Sequence, residues 1–276
     1  MIVDEVVKDL GELTADVASV IISSHAGNAG PLLEPVVNFL LKNGLDKVIK
    51  DVVSRQLSDM QKDKVNEVRD YAISTFYKLA EEKGWEDNGA EGDAYTQTIA
   101  ESIEDIFNKA VNESRKAKRV LLGTLLGTTM YYSNSPHPDM ENFFYVSTIT
   151  DRLTFRQLCL VLMIGNKFSD IKEDIHDLCV TDKVSISELD DLKSQGLWRP
   201  LFGFMGGSKD PEYPIPLDYM VPTNTAIELM KAIILPDEIK DEYYRVLESL
   251  GIKPINPSEF PDGFLEIRNS FFQMVK

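Results

Sequence analysis

The 276-residue sequence predicts a mainly α protein, a helical bundle followed by a C-terminal module of helices plus one β-hairpin. Three observations predict it. Apolar residues recur every three or four positions over most of the chain, the spacing that turns one face of a helix inward. Glycines and prolines interrupt that pattern at intervals suited to helix ends. After Gly196 the pattern changes to short apolar runs, Leu197-Trp198 and Leu201–Phe204, then a Gly206-Gly207 turn region and Ile215–Val221 with prolines at its edges, which together read as two strands of a hairpin with a long tip.

Composition bounds the rest. Hydrophobic residues at 43% and charged residues at 27% are those of an ordinary globular chain, neither wholly disordered nor membrane-embedded. A formal net charge of −16 repels phosphate backbones and anionic lipid surfaces, so no specific nucleic-acid partner is expected. Cys159 and Cys179 both lie in apolar runs read as helical, and buried reduced thiols in a reducing cytoplasm are expected of them. The opening Met1–Leu10 interleaves charges with apolar residues, so it is read as neither a signal nor a transit peptide, and no leader is expected to be removed. Val17–Leu33 and Val120–Pro138 are uncharged, but polar residues, glycines and prolines keep both short of the run of about 20 apolar residues that spans a bilayer.

Along the chain, Val3, Val6, Leu10, Leu13, Val17 and Ile21 predict an amphipathic helix ending near Ser24. Ala-Gly-Asn-Ala-Gly-Pro at 26–31 breaks it, and Pro31 opens a short helix to Lys42 that Asn43-Gly44 ends. From Leu45 to Ala80 helical spacing continues without interruption, which predicts the longest helix, and Gly84–Asp93 is a polar, glycine-rich loop. Ile99 to about Tyr132 reads as one further helix, stopped by Pro136-His137-Pro138, and Phe143–Ile149 as a short one. Thr154 with Gln157 is a capping-box pair opening a buried helix to about Ile164. Ile171, Ile175 and Leu178 are the inward positions of a helix over 170–179, and Ser185 with Glu188 is a second capping box, for a helix that Gly196 stops. Thr223 caps a helix through Ile234; Pro236 starts another through Leu250, and Gly251 stops it. The remaining chain reads as irregular and proline-rich, with an apolar end (Phe264, Leu265, Ile267, Phe271, Phe272, Met274) that docks on the body or on a partner. The domains expected are 1–150, a helical domain; 151–250, the module with the hairpin; and 251–276, a docking tail.

Enzymatic signatures are missing from the sequence. It holds no phosphate loop, dinucleotide fingerprint, nucleophile elbow or His-Glu-x-x-His. Glu173-x-x-His176 with Asp177 places a carboxylate and an imidazole on one helical face, yet His25 and His137 lack the second Glu-x-x-His that a bundle metal site takes, so a solvated acidic helix is the reading. No catalytic residue, cofactor or metal is expected. The candidate partner-binding residues are Arg115, Lys116, Lys118 and Arg119, the densest basic cluster, with Trp198 and Phe202 on the first hairpin strand. A solvated helix face whose long stems cover apolar surface is the competing explanation for the first four, and core packing for the aromatic pair. Gly123 and Gly127 form a small-x-x-x-small pair that allows close helix approach inside the bundle.

The order helix 155–165, helix 170–179, helix 186–195 and hairpin 197–221 is that of a winged helix, with 186–195 in the recognition position. That helix is acidic, so the winged-helix-like module is expected to bind protein and not DNA. Lys118-Arg119 leading into Leu121–Gly127, then Asp151-Arg152-Leu153-Thr154, then Leu189–Leu197 and the hairpin returning to Thr223 resemble bacterial helical proteins of the abortive-infection alpha type over about Ala94 to Ile234. The resemblance implies a role in defence against phage, with no catalytic residues to carry over. The leading expectation is a non-enzymatic bacterial interaction or regulatory protein of the cytoplasm, which binds a protein partner or itself. Two alternatives stand beside it: a conditional membrane-disrupting effector inserting Val17–Leu33 and Val120–Tyr132, and a Mg²⁺-dependent hydrolase using carboxylates such as Glu173 and Asp177.

Overall fold

The computed structural model describes residues 57–85, 93–133, 140–165, 178–201 and 214–256, with Val48, Val52, Ser258, Phe260 and Glu266 besides. The expected helices before Leu45, the Pro136–Pro138 turn, the hairpin tip and the apolar end from Phe264 lie outside these residues, Glu266 apart. The described residues are mostly helical with a small sheet. In chain order they form α1 (Asp59–Lys83), α2 (Asp93–Asn112), α3 (Lys116–Ser133), α4 (Met140–Arg152), α5 (Phe155–Gly165), β1 (Leu178–Val180), α6 (Lys183–Ser194), β2 (Trp198–Pro200), β3 (Ile215–Pro216), β4 (Met220–Pro222), α7 (Asn224–Ala232), α8 (Asp237–Glu248) and β5 (Ile252–Pro254). The chain divides into two compact units, Met1–Arg152 with Lys231–Ile239 and Leu153–Met230 with Lys240–Lys276.

In the first unit, the inward face of α1 is Val65, Val68, Ala72, Ile73, Phe76, Leu79 and Ala80, and it packs along α3. Nearly every residue of α3 from Ala117 to Met130 is buried, as expected of a helix enclosed on all sides. Gly123 and Gly127 explain how closely the two helices meet. A Cβ on Gly127 would lie 2.3 Å from the carbonyl oxygen of Ala72, and one on Gly123 would lie 2.8 Å from that of Val68. The expected use of this glycine pair is therefore the observed one. Ile103, Ile106, Phe107 and Ala110 of α2 and Phe143, Val146, Ser147 and Thr150 of α4 complete the buried faces.

Two expected long helices are each broken in two. Val48 and Val52 are helical, but Leu57 and Ser58 are not, and α1 begins anew at Asp59. Ser58 and Gln61 form a capping box: the serine Oγ accepts from the Gln61 N–H at 3.3 Å while Gln61 Oε1 accepts from the Ser58 N–H at 3.0 Å. Those bonds satisfy donors that a continuing helix would have used. The stretch read as one helix from Ile99 to Tyr132 likewise stops at Asn112 and restarts at Lys116. There Glu113 Oε1 accepts from the Arg115 N–H at 2.8 Å, and the Glu113 N–H is shared between the Lys109 and Ala110 carbonyls.

In the second unit, α5 is buried from Leu158 to Ile164 and packs against β4 and α6. Its capping box holds as expected, with Thr154 Oγ1 accepting from Gln157 N at 3.1 Å and Gln157 Oε1 from Thr154 N at 2.9 Å. The helix expected over 170–179 is corrected at its described end. Leu178–Val180 are a strand, central in a sheet of order β3-β1-β5, and Cys179 belongs to that strand and not to a helix. A three-residue apolar run is equally compatible with either state, and pairing on both edges decides it. The second expected capping box is also displaced: Asp182 caps α6, its carboxylate accepting from the N–H of Ser185 at 2.8 Å and from the Ser185 hydroxyl at 2.7 Å. Gly196 ends α6 as expected, at φ 72°, with the Leu197 N–H returning to the Leu192 carbonyl.

The hairpin forms between β2 and β4, Arg199 opposite Val221. Its second strand is shorter than expected, because a 3₁₀ turn over Leu217–Tyr219 divides it and sends Ile215–Pro216 to β1 instead. Residues 252–254, read as irregular, are β5 on the other edge of β1. Thr223 and Gly251 act as expected, the first accepting from the Ala226 N–H at 3.3 Å, the second at φ 62° beyond α8. Arg156 of α5 ties this unit together: Nε meets Glu188 Oε2 at 2.5 Å, Nη2 donates to the Ser185 hydroxyl at 2.5 Å, and Nη1 donates to the Ser249 hydroxyl.

Two stability predictions follow from these contacts. Gly127→Ala, which in an open helix would gain up to about 1 kcal/mol, is expected here to lose about 1–3 kcal/mol, because the added methyl meets backbone. Arg156→Leu is expected to cost about 1–3 kcal/mol by leaving the half-buried Glu188 carboxylate without its guanidinium partner. Urea unfolding of each variant measures both.

Candidate functional site

The basic cluster begins where α2 has ended, and its four side chains do not form one patch. Arg115 and Lys116 are exposed, and Lys116 Nζ lies 3.8 Å from Glu67 of α1. Arg119 turns back on the body, Nε donating to Glu67 Oε2 at 2.7 Å and Nη1 to the carbonyls of Ser114 at 2.8 Å and Glu113 at 3.2 Å. Lys118 is the buried one, its side chain 8% exposed. Its ammonium donates to the Asp151 carbonyl at 2.6 Å and sits 3.1 Å from Glu113 Oε2. Arg119 and Lys118 thus direct their charge to groups of their own unit. Trp198 is a core residue whose Nε1–H donates to the Leu189 carbonyl at 2.6 Å. Phe202 lies outside the described residues, as do Glu173, His176 and Asp177.

What the structure adds is a polar cleft beside Lys118. It encloses about 320 Å³ and is lined by Asn108, Lys109, Asn112, Glu113, Lys118 and Asp151. The last turn of α2, the first turn of α3 and the end of α4 supply it, and the break at Asn112–Arg115 is what lets the first two converge. Lys109 is fixed on its inner side by a triangle: its ammonium donates to Asp105 Oδ2 at 2.6 Å and to Ser147 Oγ at 2.7 Å, and the Ser147 hydroxyl donates to Asp105 at 3.0 Å. A hydroxyl, an amine and a carboxylate in mutual reach have the composition of an activated nucleophile. Ser147, however, is fully buried and Lys109 is ion-paired, so the triangle fastens α2 to α4.

Glu113 is the electrostatic pivot. Burial works against its ionisation, but the Arg115 N–H and the Lys118 ammonium outweigh burial and hold the carboxyl below the usual glutamate range. Of this lining, the sequence reading picked out Lys118 alone. The four-residue spacing of Asn108 with Asn112 and of Lys109 with Glu113 marks one polar stripe at the end of α2 and was a usable signal. Asp151, over thirty positions further on, gives none.

No group of three histidine, cysteine or carboxylate residues among the described residues is placed to hold a metal ion. No described helix is long and apolar enough to cross a membrane, and Val120–Met130 is interior to the first unit apart from the partly exposed Thr129. No family model matches the chain, and no curated protein or solved structure shows significant similarity to it.

The sign of the Glu113 shift sets a pH dependence. A carboxyl whose folded value is depressed contributes stability fully above its unfolded value, about 4.3, and loses that contribution as pH falls through the folded value. Glu113→Gln is expected to flatten the decline of the urea midpoint on acidification from pH 6 toward pH 3, as measured in a pH series. An acid limb as steep as that of the parent chain would contradict the assignment.

Proposed function

We propose that the chain is a non-enzymatic interaction protein of the bacterial cytoplasm that acts through protein–protein contacts, in defence against phage. The observation that carries the reading is the outward face of α6. Ile186, Leu189 and Leu192 are buried, while Val184, Ser187, Asp190, Asp191 and Ser194 face solvent, with Lys183 at one end. The hairpin β2–β4 follows α6 as a wing follows a recognition helix. A helix in that position that shows Asp190 and Asp191 repels the phosphates a DNA reader must grip, and fits a basic protein surface. Val184, 62% exposed, adds an apolar contact at the same end of the helix. The defence setting is supported by the resemblance of Ala94–Ile234 to abortive-infection alpha-type proteins.

Charge reversal tests this directly. The double variant Asp190→Lys with Asp191→Lys changes two exposed side chains and removes one exposed ion pair, Asp190 with Lys193 at 3.5 Å, so its melting temperature should stay close to that of the parent. Bacteria expressing the parent chain are expected to yield fewer phage plaques, and the double variant to lose at least about tenfold of that protection, the consequence of weakening one contact by about 1.4 kcal/mol. Equal protection from both chains would refute the role of α6; none from the parent against a broad phage panel would refute the defence reading.

A further inference from the structure

The cleft of the first unit has unspent binding capacity of both signs. An ammonium carries three N–H donors. Lys109 uses two, on Asp105 and Ser147, and Lys118 uses two, on the Asp151 carbonyl and Glu113. Among the described residues, one donor therefore remains on each of two lysines that line the same space. A carboxylate accepts about four hydrogen bonds. Among the described residues Glu113 takes one at each oxygen, from Arg115 N and from Lys118, with the Ser114 N–H as a third donor, and Asp151, exposed at the end of α4, makes no ion pair. The amides of Asn108 and Asn112 complete a lining of two positive, two negative and two neutral polar groups.

That balance selects among ligands. A phosphate would gain from the lysines and be repelled by two carboxylates, and an amine alone would meet the converse. A molecule with both charges in one small frame satisfies all four groups, each through charge-assisted hydrogen bonds. At about 320 Å³ the cleft is at the small end of the range for ligand sites, roughly 300–1,000 Å³. We propose that it binds a free α-amino acid, the carboxylate taken by Lys109 and Lys118 and the ammonium by Glu113 and Asp151. The site lies in a different unit from α6 and does not depend on the partner contact proposed there.

Calorimetric titration of the full chain tests this with free acidic, basic, polar and apolar amino acids, with the N-acetylated and amidated forms of the tightest among them, and with inorganic phosphate. At least one free amino acid is expected to bind at a single site, and either blocked form to bind at least about tenfold more weakly. Asn108 is exposed, so Asn108→Trp should fold normally and fill the cleft, abolishing the heat; Lys118→Met should weaken binding as the blocked forms do. The proposal is overturned if no free amino acid binds, if the acetylated form or phosphate binds as well as the zwitterion, or if Asn108→Trp binds undiminished with an unchanged circular dichroism spectrum.

Discussion

The close approach of α1 and α3 at Gly123 and Gly127 sets the geometry of the first unit. Contacts along the two helices advance in step: Arg119 meets Glu67, Gly123 meets Tyr71 and Val68, Gly127 meets Ala72 and Thr75, and Tyr131 reaches Phe76 and the Gly84 carbonyl. The helices therefore run in the same direction, and every fourth residue of α3 forms the seam. Two side-chain-free positions at its centre let backbone touch backbone, which gives the dense contact that dispersion rewards and leaves no room for a register shift. The ends of the seam are polar, an ion pair at one and a tyrosine hydroxyl on a carbonyl at the other, so its position along the axis is fixed as well as its depth.

From that seam follows the fate of the basic cluster. With Gly123 and Gly127 turned toward α1, helical geometry turns Arg119 the same way, one turn earlier, onto Glu67. Lys118 lies about 100° around the axis from Arg119 and is carried toward the end of α4. Adjacent lysine and arginine residues thus serve separate neighbours. A run that looks in sequence like one positive patch is, in the folded chain, an ion pair on α1, a buried ammonium at the cleft and two exposed side chains, of which Lys116 also lies near Glu67.

Features that depend on neighbours in sequence were legible. The Thr154–Gln157 box, the Gly196 and Gly251 stops, the Thr223 cap and the close-packing glycines are all local geometry that the chain writes out in residue type. The helix breaks at Ser58 and Glu113 were hidden, although Ser58-x-x-Gln61 is itself a capping-box pattern, because apolar spacing runs through both sites undisturbed. Periodicity reports which face is buried, and it is silent on whether one side chain has taken over a backbone donor. The strands were legible only where a turn announces a hairpin. β1 and β5 pair across more than seventy residues, and Leu178-Cys179-Val180 carries nothing that distinguishes a strand from the last turn of a helix. The cleft was hidden for the same reason: Lys118 and Asp151 meet through the packing of α3 on α4.

Two charged clusters in this chain show what separates a structural knot from a receptive site. Arg156 has every side-chain nitrogen engaged, by Glu188, Ser185 and Ser249, with Asp182 at 3.7 Å. Its planar fork is matched by acceptors on three sides, and its partly exposed side chain keeps some contact with water besides. Among the described residues Lys109 and Lys118 are held by two partners each, one N–H short of a full set, and both line a cleft that Glu113 and Asp151 line as well. Water fills such a space adequately, and its molecules are exchangeable. A ligand that carries both charges at fixed separation replaces several of them at once while the side chains it meets are already in place, so little conformational entropy is lost on binding. The firmness of the two lysines is thus the reason the cleft suits recognition: their inner bonds fix where the outer ones point.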